Sequence, residues 1–244
     1  MDQKKAIFCL KVALWICALA PLTWLGTAFY LDTLNPSAFQ NLGFNTNENV
    51  ASGTTPGLTL DLLRRTTLGA NPIEKLTHVT GMTTLVLLLI TLSVTLVRRL
   101  TGWNRVLKLR RPLGLFAFFY AFLHFSIWAG LDQTMVWSWM VEDVVERPYI
   151  TLGFTGFVIL IPLALTSTRG WIRRLGKRWT LLHRGIYLTA TLGVIHFYWL
   201  VKADVRLPLL LAAYLAVLLA ARVLLSLQKR RKLSARKDIR PANS

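Results

Sequence analysis

Six long apolar runs constrain this chain more than any other feature of its sequence. A helix needs about 20 apolar residues to cross a bilayer, because each residue rises about 1.5 Å and the hydrocarbon layer is about 30 Å thick. The sequence therefore predicts an all-α integral membrane protein. Its six transmembrane helices are expected at about residues 12–30, 78–97, 112–130, 150–167, 180–200 and 207–227.

Composition supports a membrane protein and excludes other classes. Of the 244 residues, 54% are hydrophobic and only 16% are charged, whereas soluble domains carry about 25% charged residues. A soluble enzyme, a disordered chain and a secreted disulfide scaffold are excluded. Cys9 and Cys17 are too far apart on one predicted helix to pair. No internal repeat is evident.

The basic residues predict an orientation in the membrane. They concentrate in the N-terminal segment and in residues 98–111, 169–178 and 229–240. Since positive segments stay in the cytoplasm, both termini are expected there. This topology explains the net charge of +18 through contact with membrane lipid, so no nucleic-acid partner is needed. The predicted segments are a cytoplasmic N-terminus at 1–11, a transmembrane domain at 12–227 containing a periplasmic loop at 31–77, and a basic cytoplasmic tail at 228–244.

Two extramembrane segments carry further expectations. Within the loop, residues 58–68 could form a short interfacial helix. A second amphipathic segment, residues 135–145, is expected to face the periplasm. Its acidic neighbourhood suggests electrostatic docking of a soluble partner, with ordinary solvation as the alternative. The acidic residues concerned are Asp132, Glu142, Asp143 and Glu146.

All four histidines lie in or at the edges of predicted spans: His78, His124, His183 and His196. Ionisable groups at membrane depth are costly and usually mark a functional path. Imidazole is also a common metal ligand and an axial ligand of haem. We therefore predict that at least two of the four hold a cofactor. A hydrogen bond between helices is the alternative for any single histidine.

Helical rise places the histidines at different depths. His183 lies roughly 8 Å from the inner face, His124 roughly 20 Å, His196 roughly 27 Å and His78 roughly 30 Å. Depth alone leaves both His78 and His124 open as a partner of His196. The 13-residue step from His183 to His196 turns a continuous helix by about 140°. The two rings therefore serve different sides of the helix unless it is distorted, for example at Gly193.

Four stretches of the chain together resemble one known family. They are residues 71–81 (NPIEKLTHVTG), 110–124 (RRPLGLFAFFYAFLH), 147–153 (RPYITLG) and 166–196, which begins TSTRGWIRRLGKRWTLLH. They are similar to the MsrQ family, also called YedZ, of the ferric-reductase-like transmembrane superfamily.

The resemblance implies a six-helix ferric-reductase-like bundle in the bacterial inner membrane. It implies one or two b-type haems, FMN, and electrons taken from the quinone pool or a flavin reductase. The electrons would pass to a periplasmic molybdopterin subunit that reduces methionine sulfoxide and so repairs oxidised periplasmic proteins. The chain itself would be an electron-transfer subunit with no activity on methionine sulfoxide alone.

Residue by residue, His124, His183 and His196 match the family's haem-linked histidines. The resemblance favours His124 over His78 as the partner of His196 at an outer haem, with His78 a possible additional ligand. Other members of the superfamily carry a second histidine 13 or 14 residues before the outer one in the third span. This chain has Arg110 and Arg111 there. The simpler interpretation is that both are positive anchors at the inner membrane boundary. The functional alternative is that Arg110 neutralises a haem propionate or approaches an inner haem near His183.

Two readings from other functional classes compete with an electron conduit. A transporter or proton pathway would use the same histidines as proton relays. Against it, no span contains a carboxylate to partner them and no inverted repeat is visible. A structural anchor for an extracytoplasmic enzyme is the third reading. A dithionite-reducible b-type absorption band would separate the conduit from both.

Overall fold

The described part of the chain is helical throughout. The computed structural model describes residues 3–29 and 72–238, and it contains no strand within these ranges. Nine α-helices follow one another there: α1 Gln3–Phe29, α2 Pro72–Thr101, α3 Arg110–Ile127, α4 Trp137–Glu146, α5 Pro148–Leu165, α6 Arg169–Leu175, α7 Lys177–Leu182, α8 Gly185–Leu200 and α9 Arg206–Asp238. A 3₁₀ turn, Asn104–Leu109, precedes α3, and a π-helical turn, Trp128–Asp132, follows it. The all-α prediction is confirmed for these residues.

Within the described residues, five stretches of helix are long and apolar enough to cross a bilayer. They cover Ala6–Ala28, Ile73–Thr101, Asn104–Asp132, Pro148–Leu165 and Arg206–Gln228. Apolar side chains remain widely exposed on them, as Leu210 and Val217 show with 67% and 61% exposure. Such surfaces are stable against lipid, where helices also satisfy every backbone hydrogen bond internally. The chain is therefore a multi-pass membrane protein.

The predicted span at 180–200 does not form one continuous helix. Helix α7 ends at Leu182 and α8 begins at Gly185, so the break falls at His183 and Arg184. Helix α8 has 16 residues, a length of about 24 Å, which is short for a complete crossing. The sixth span stays a prediction. Of the two alternatives for this span, a continuous helix or a helix distorted near Gly193, neither describes the break at His183 and Arg184. The rotation of about 140° between His183 and His196 assumes a continuous helix and therefore does not apply.

The predicted loop at 31–77 ends earlier than expected. Helix α2 begins at Pro72, because proline is well tolerated in a first helical turn. Residues 72–77 are therefore helical. The rest of the loop, the interfacial helix predicted at 58–68 and the very ends of the chain lie outside the described residues.

Within its described residues, the first of two compact units combines residues of Met1–Thr84 with Phe119–Met140. Leu25 and Ala28 of α1 pack there with Trp24, Leu76 and Val79. In the same unit the fully buried Tyr120 donates its hydroxyl hydrogen to the carbonyl oxygen of Ala18. These contacts hold α1 to the first turns of α2 and the last turns of α3.

The second unit combines Leu85–Phe118 with the described residues of Val141–Ser244. Helix α8 is central to its packing and contacts α5 and α9. Small residues permit close approach of these helices, as Gly156 of α5 does beside Thr189 of α8. Ser93 of α2 and Tyr214 of α9 share a hydrogen bond of 2.7 Å between their hydroxyl oxygens.

The amphipathic segment expected at 135–145 forms the short helix α4. Of its acidic residues, Glu142 and Glu146 are exposed, but Asp143 is buried with only 8% exposure. The Asp143 carboxylate pairs with Arg147 at 3.0 Å. Asp143 therefore stabilises the end of α4. The hypothesis that it helps to dock a partner is wrong for this residue and stays a prediction for Glu142 and Glu146.

Candidate functional site

Three of the four histidines share one hydrogen-bonding arrangement. The Nδ1 atom of His124 lies 2.8 Å from the carbonyl oxygen of Thr77, and that of His196 lies 2.6 Å from the carbonyl oxygen of Tyr149. The Nδ1 atom of His183 lies 3.1 Å from the carbonyl oxygen of Trp179. A carbonyl oxygen can only accept, so each Nδ1 carries a proton and donates it. In a neutral ring the lone pair then lies on Nε2, which is how metal-binding histidines are usually oriented.

Gly81 of α2 lies against the ring of His124. A Cβ atom built on Gly81 would lie 2.9 Å from Cε1 and 3.0 Å from Nδ1 of His124. The hydroxyl of Thr80 is also 3.5 Å from Nδ1. Only a glycine leaves enough room for the ring in this position.

The ring of His196 is held in the same way, inside the second unit. A Cβ atom on Gly153 of α5 would lie 2.9 Å from Nδ1 and 3.0 Å from Cε1 of His196. In both cases the residue whose carbonyl oxygen accepts the hydrogen bond precedes the histidine by 47 positions and precedes the glycine by four. Each unit therefore contains one copy of the same histidine-holding arrangement.

This duplication was missed in the sequence, where no internal repeat is evident. Its only trace is a glycine followed 43 residues later by a histidine, at Gly81 and His124 and again at Gly153 and His196. Two residues so far apart form no recognisable local motif. The tertiary contacts make the relation visible.

His183 lies at the break between α7 and α8. Its ring stacks on Trp179, with the centroids 3.9 Å apart and the planes inclined by 27°. Its Nε2 atom is buried and has no hydrogen-bond partner among the described residues. An unpaired buried polar atom is costly unless a ligand completes it. Trp179 thus orients this ring through both its indole ring and its backbone carbonyl.

Arg110 and His78 occupy different environments. Arg110 is half-buried at the first residue of α3 and close enough for its charge to act on His183. The role of Arg110 toward a haem group stays a prediction. The neighbouring Lys108 is exposed in the 3₁₀ turn. His78 is exposed on α2, which distinguishes it from the three partly buried histidines.

These features fit haem better than a bare metal ion. Among the described residues, no group of three or more histidines, cysteines or carboxylates could hold a metal ion. Haem iron already has four porphyrin nitrogens and needs only axial ligands from the protein, such as neutral imidazoles. The fixed tautomers, the glycines beside two rings and the unpaired Nε2 of His183 all suit that requirement.

The chain is similar to known membrane proteins. Residues 77–194 match the family model described as "Ferric reductase like transmembrane component". The chain is 50% identical over 164 residues to the "Protein-methionine-sulfoxide reductase heme-binding subunit MsrQ" of Xanthomonas campestris pv. campestris, covering 67% of this chain and 75% of the relative.

Two other relatives carry the same name. One, from Herminiimonas arsenicoxydans, is 51% identical over 171 residues, which cover 69% of this chain and 78% of the relative. Another, from Xanthomonas euvesicatoria pv. vesicatoria, is 48% identical over 175 residues, with 72% and 80% covered. No solved structure matches the chain.

Proposed function

Because this chain belongs to the MsrQ family of ferric-reductase-like membrane proteins, we propose that it is a haem-binding electron-transfer subunit of a methionine-sulfoxide reductase system. It takes electrons from the quinone pool or a flavin reductase and passes them across the bacterial inner membrane. A periplasmic molybdopterin subunit receives them and reduces methionine sulfoxide. The chain itself has no activity on that substrate.

The single observation that supports this proposal most directly is the shared orientation of three histidines. Each donates its Nδ1 hydrogen to a backbone carbonyl, as His124 does to Thr77 and His196 does to Tyr149. Haem, when bound, supplies the one-electron redox chemistry. The protein residues hold the rings, fix their tautomers and exclude water from the buried faces.

We assign the histidines to two places along the electron path. His124 and His196 are each proposed as an axial ligand of b-type haem in the outer half of the membrane, since each ring is held in the same way within its own unit. His183 is proposed as a ligand of a second, inner haem. Arg110 acts on His183 through its charge and would neutralise a propionate there.

FMN is part of the proposal on the strength of the family resemblance alone. The proposed role is to accept electrons at the donor side before they reach haem. Extraction of the purified protein with acid, followed by flavin fluorescence, tests this directly. Flavin in stoichiometric amount supports the assignment, whereas its absence from active preparations removes FMN from the path.

A proton pathway is less well supported by the same contacts. A relay needs side chains or waters that accept a proton and pass it on. Each of the three Nδ1 atoms is instead bonded to a backbone carbonyl, which cannot be protonated at physiological pH and so holds the ring in one tautomer. The arrangement therefore favours metal ligation over proton transfer.

The proposal is tested by optical spectroscopy of purified protein. Wild type should show a dithionite-reducible b-type band. His124→Ala and His196→Ala should each lose one haem per chain and stop electron delivery to the periplasmic subunit. His78→Ala is the matched control, because His78 is exposed, and it should keep both. An unaltered haem content in His124→Ala, or loss of the outer haem in His78→Ala, contradicts the assignment.

A further inference from the structure

Arg222 is a charged residue inside the apolar helix α9. It lies seven residues before Lys229, where the basic tail begins, so it is about 10 Å deeper along the helix. Its side chain is half-buried. Its surroundings are more specific than those of a basic residue that merely marks a membrane boundary.

The guanidinium group of Arg222 is held by neighbouring helices of the same unit. Its Nη2 donates to the carbonyl oxygen of Leu92 on α2 at 2.8 Å, and its Nη1 donates to the hydroxyl oxygen of Tyr187 on α8. The guanidinium carbon also lies 4.7 Å from the centre of the Tyr187 ring. The head group is therefore fixed in position, and a fixed guanidinium loses little entropy when it binds a ligand.

These contacts satisfy hydrogen bonds but do not neutralise the charge. No carboxylate of the described residues lies within ion-pair distance of Arg222. Arg99 and Arg110 are close enough for their positive charges to act on it. These like charges repel Arg222, and an uncompensated cation within a membrane span is costly. Only two of the five guanidinium N–H donors are used in hydrogen bonds with the described residues.

We propose that Arg222, positioned by Tyr187, binds an anionic oxygen group of a membrane-bound ligand. The group is a carboxylate or a phosphate, because a guanidinium binds both through two parallel hydrogen bonds. Two sources carry such a group here: a haem propionate or the headgroup of an anionic phospholipid. The haem source rests on the proposed function, and the lipid source does not.

The experiment compares Arg222→Gln with Arg231→Gln in the full-length protein. Arg231 is exposed on the same helix, so its replacement removes an equal charge without altering the Arg222 contacts. The lipid arm measures binding of phosphatidylglycerol to protein in phosphatidylcholine nanodiscs. The haem arm measures haem content and midpoint potential in phosphatidylcholine alone.

For a lipid ligand, Arg222→Gln should weaken phosphatidylglycerol binding about tenfold or more and leave the haem potential unchanged. For a propionate, the midpoint potential should fall in Arg222→Gln while lipid binding stays the same. Arg231→Gln should resemble wild type in both arms. If the two variants behave alike in both arms, the anion site is refuted.

Two further variants keep the test decisive if Arg222→Gln does not fold. Arg222→Lys retains the charge but loses the forked pair of donors, and Tyr187→Phe removes only the hydroxyl. Each variant should weaken phosphatidylglycerol binding, or lower the haem midpoint potential, by less than is expected for Arg222→Gln. Wild-type values of both quantities in both variants overturn the proposal. If wild type itself binds no haem, the proposed function fails while the lipid arm still decides this inference.

Discussion

Replacing Gly81 with alanine is expected to displace the ring of His124 and weaken haem binding there. The new Cβ would lie 2.9 Å from Cε1, whereas ordinary contacts begin at 3.4 Å. The ring must therefore move by at least about 0.5 Å, which stretches its 2.8 Å bond to the carbonyl oxygen of Thr77. Such overpacking costs about 1–3 kcal/mol. Loss of a supporting partner lowers metal affinity about 10–100-fold.

The measurement is a haem titration of purified apoprotein, followed through the b-type absorption band. Gly81→Ala should bind the outer haem about 10–100-fold more weakly. Its thermal unfolding should change little, because alanine favours the helix by about 1 kcal/mol over glycine and partly offsets the strain. Gly153→Ala should have the same effect through His196.

The matched control is Gly114→Ala, on the same helix as His124. Among the described residues, a Cβ there would meet only Thr91 Cγ2, at 4.0 Å, so haem binding should equal that of wild type. Equal affinity and identical spectra in Gly81→Ala and Gly114→Ala would refute the steric argument. Equal losses in both variants would refute it as well, because the effect would then come from the helix rather than from the histidine ring.

Three further outcomes are expected. His183→Ala should remove the inner haem and leave the outer one, which a stepwise redox titration detects as one missing transition. Asp143→Ala should lower the free energy of unfolding by about 1 kcal/mol, because it removes the 3.0 Å ion pair with Arg147. Thermal unfolding in detergent measures this change, and an unchanged midpoint would mean that the ion pair contributes nothing. Glu142→Lys should slow association with the periplasmic subunit, most strongly at low salt, and stopped-flow rates that do not depend on this charge would exclude Glu142 from docking.

Much of the fold could be predicted because lipid imposes simple requirements on sequence. A run of about 20 apolar residues can be assigned as a transmembrane helix without knowing which segments pack against it. Five of the six predicted spans correspond to helices of sufficient length in the structure. The run at 180–200 could not be resolved in this way, because average hydropathy does not detect the break at His183 and Arg184.

The candidate site was predictable in its residue types but not in its geometry. Four histidines at membrane depth are conspicuous in the sequence, and the family resemblance selected His124, His183 and His196 from them. The exposure of His78 and the buried environment of Asp143 depend on which face of a helix meets its neighbours. Side-chain spacing within one segment does not contain that information.

The sequence by itself determined that the chain is a helical membrane protein with histidines in or at the edges of its spans. Hydrophobicity, and the cost of placing an ionisable side chain in the membrane, are properties of single residues. The tertiary structure alone decided which nitrogen of His124 and of His196 carries the lone pair. It also decided that Gly81 and Gly153 leave room for two rings, and that Arg222 is held without a carboxylate. The physical reason is that a hydrogen bond, a steric contact or an uncompensated charge involves groups from helices far apart in the chain, and only their packing brings those groups together.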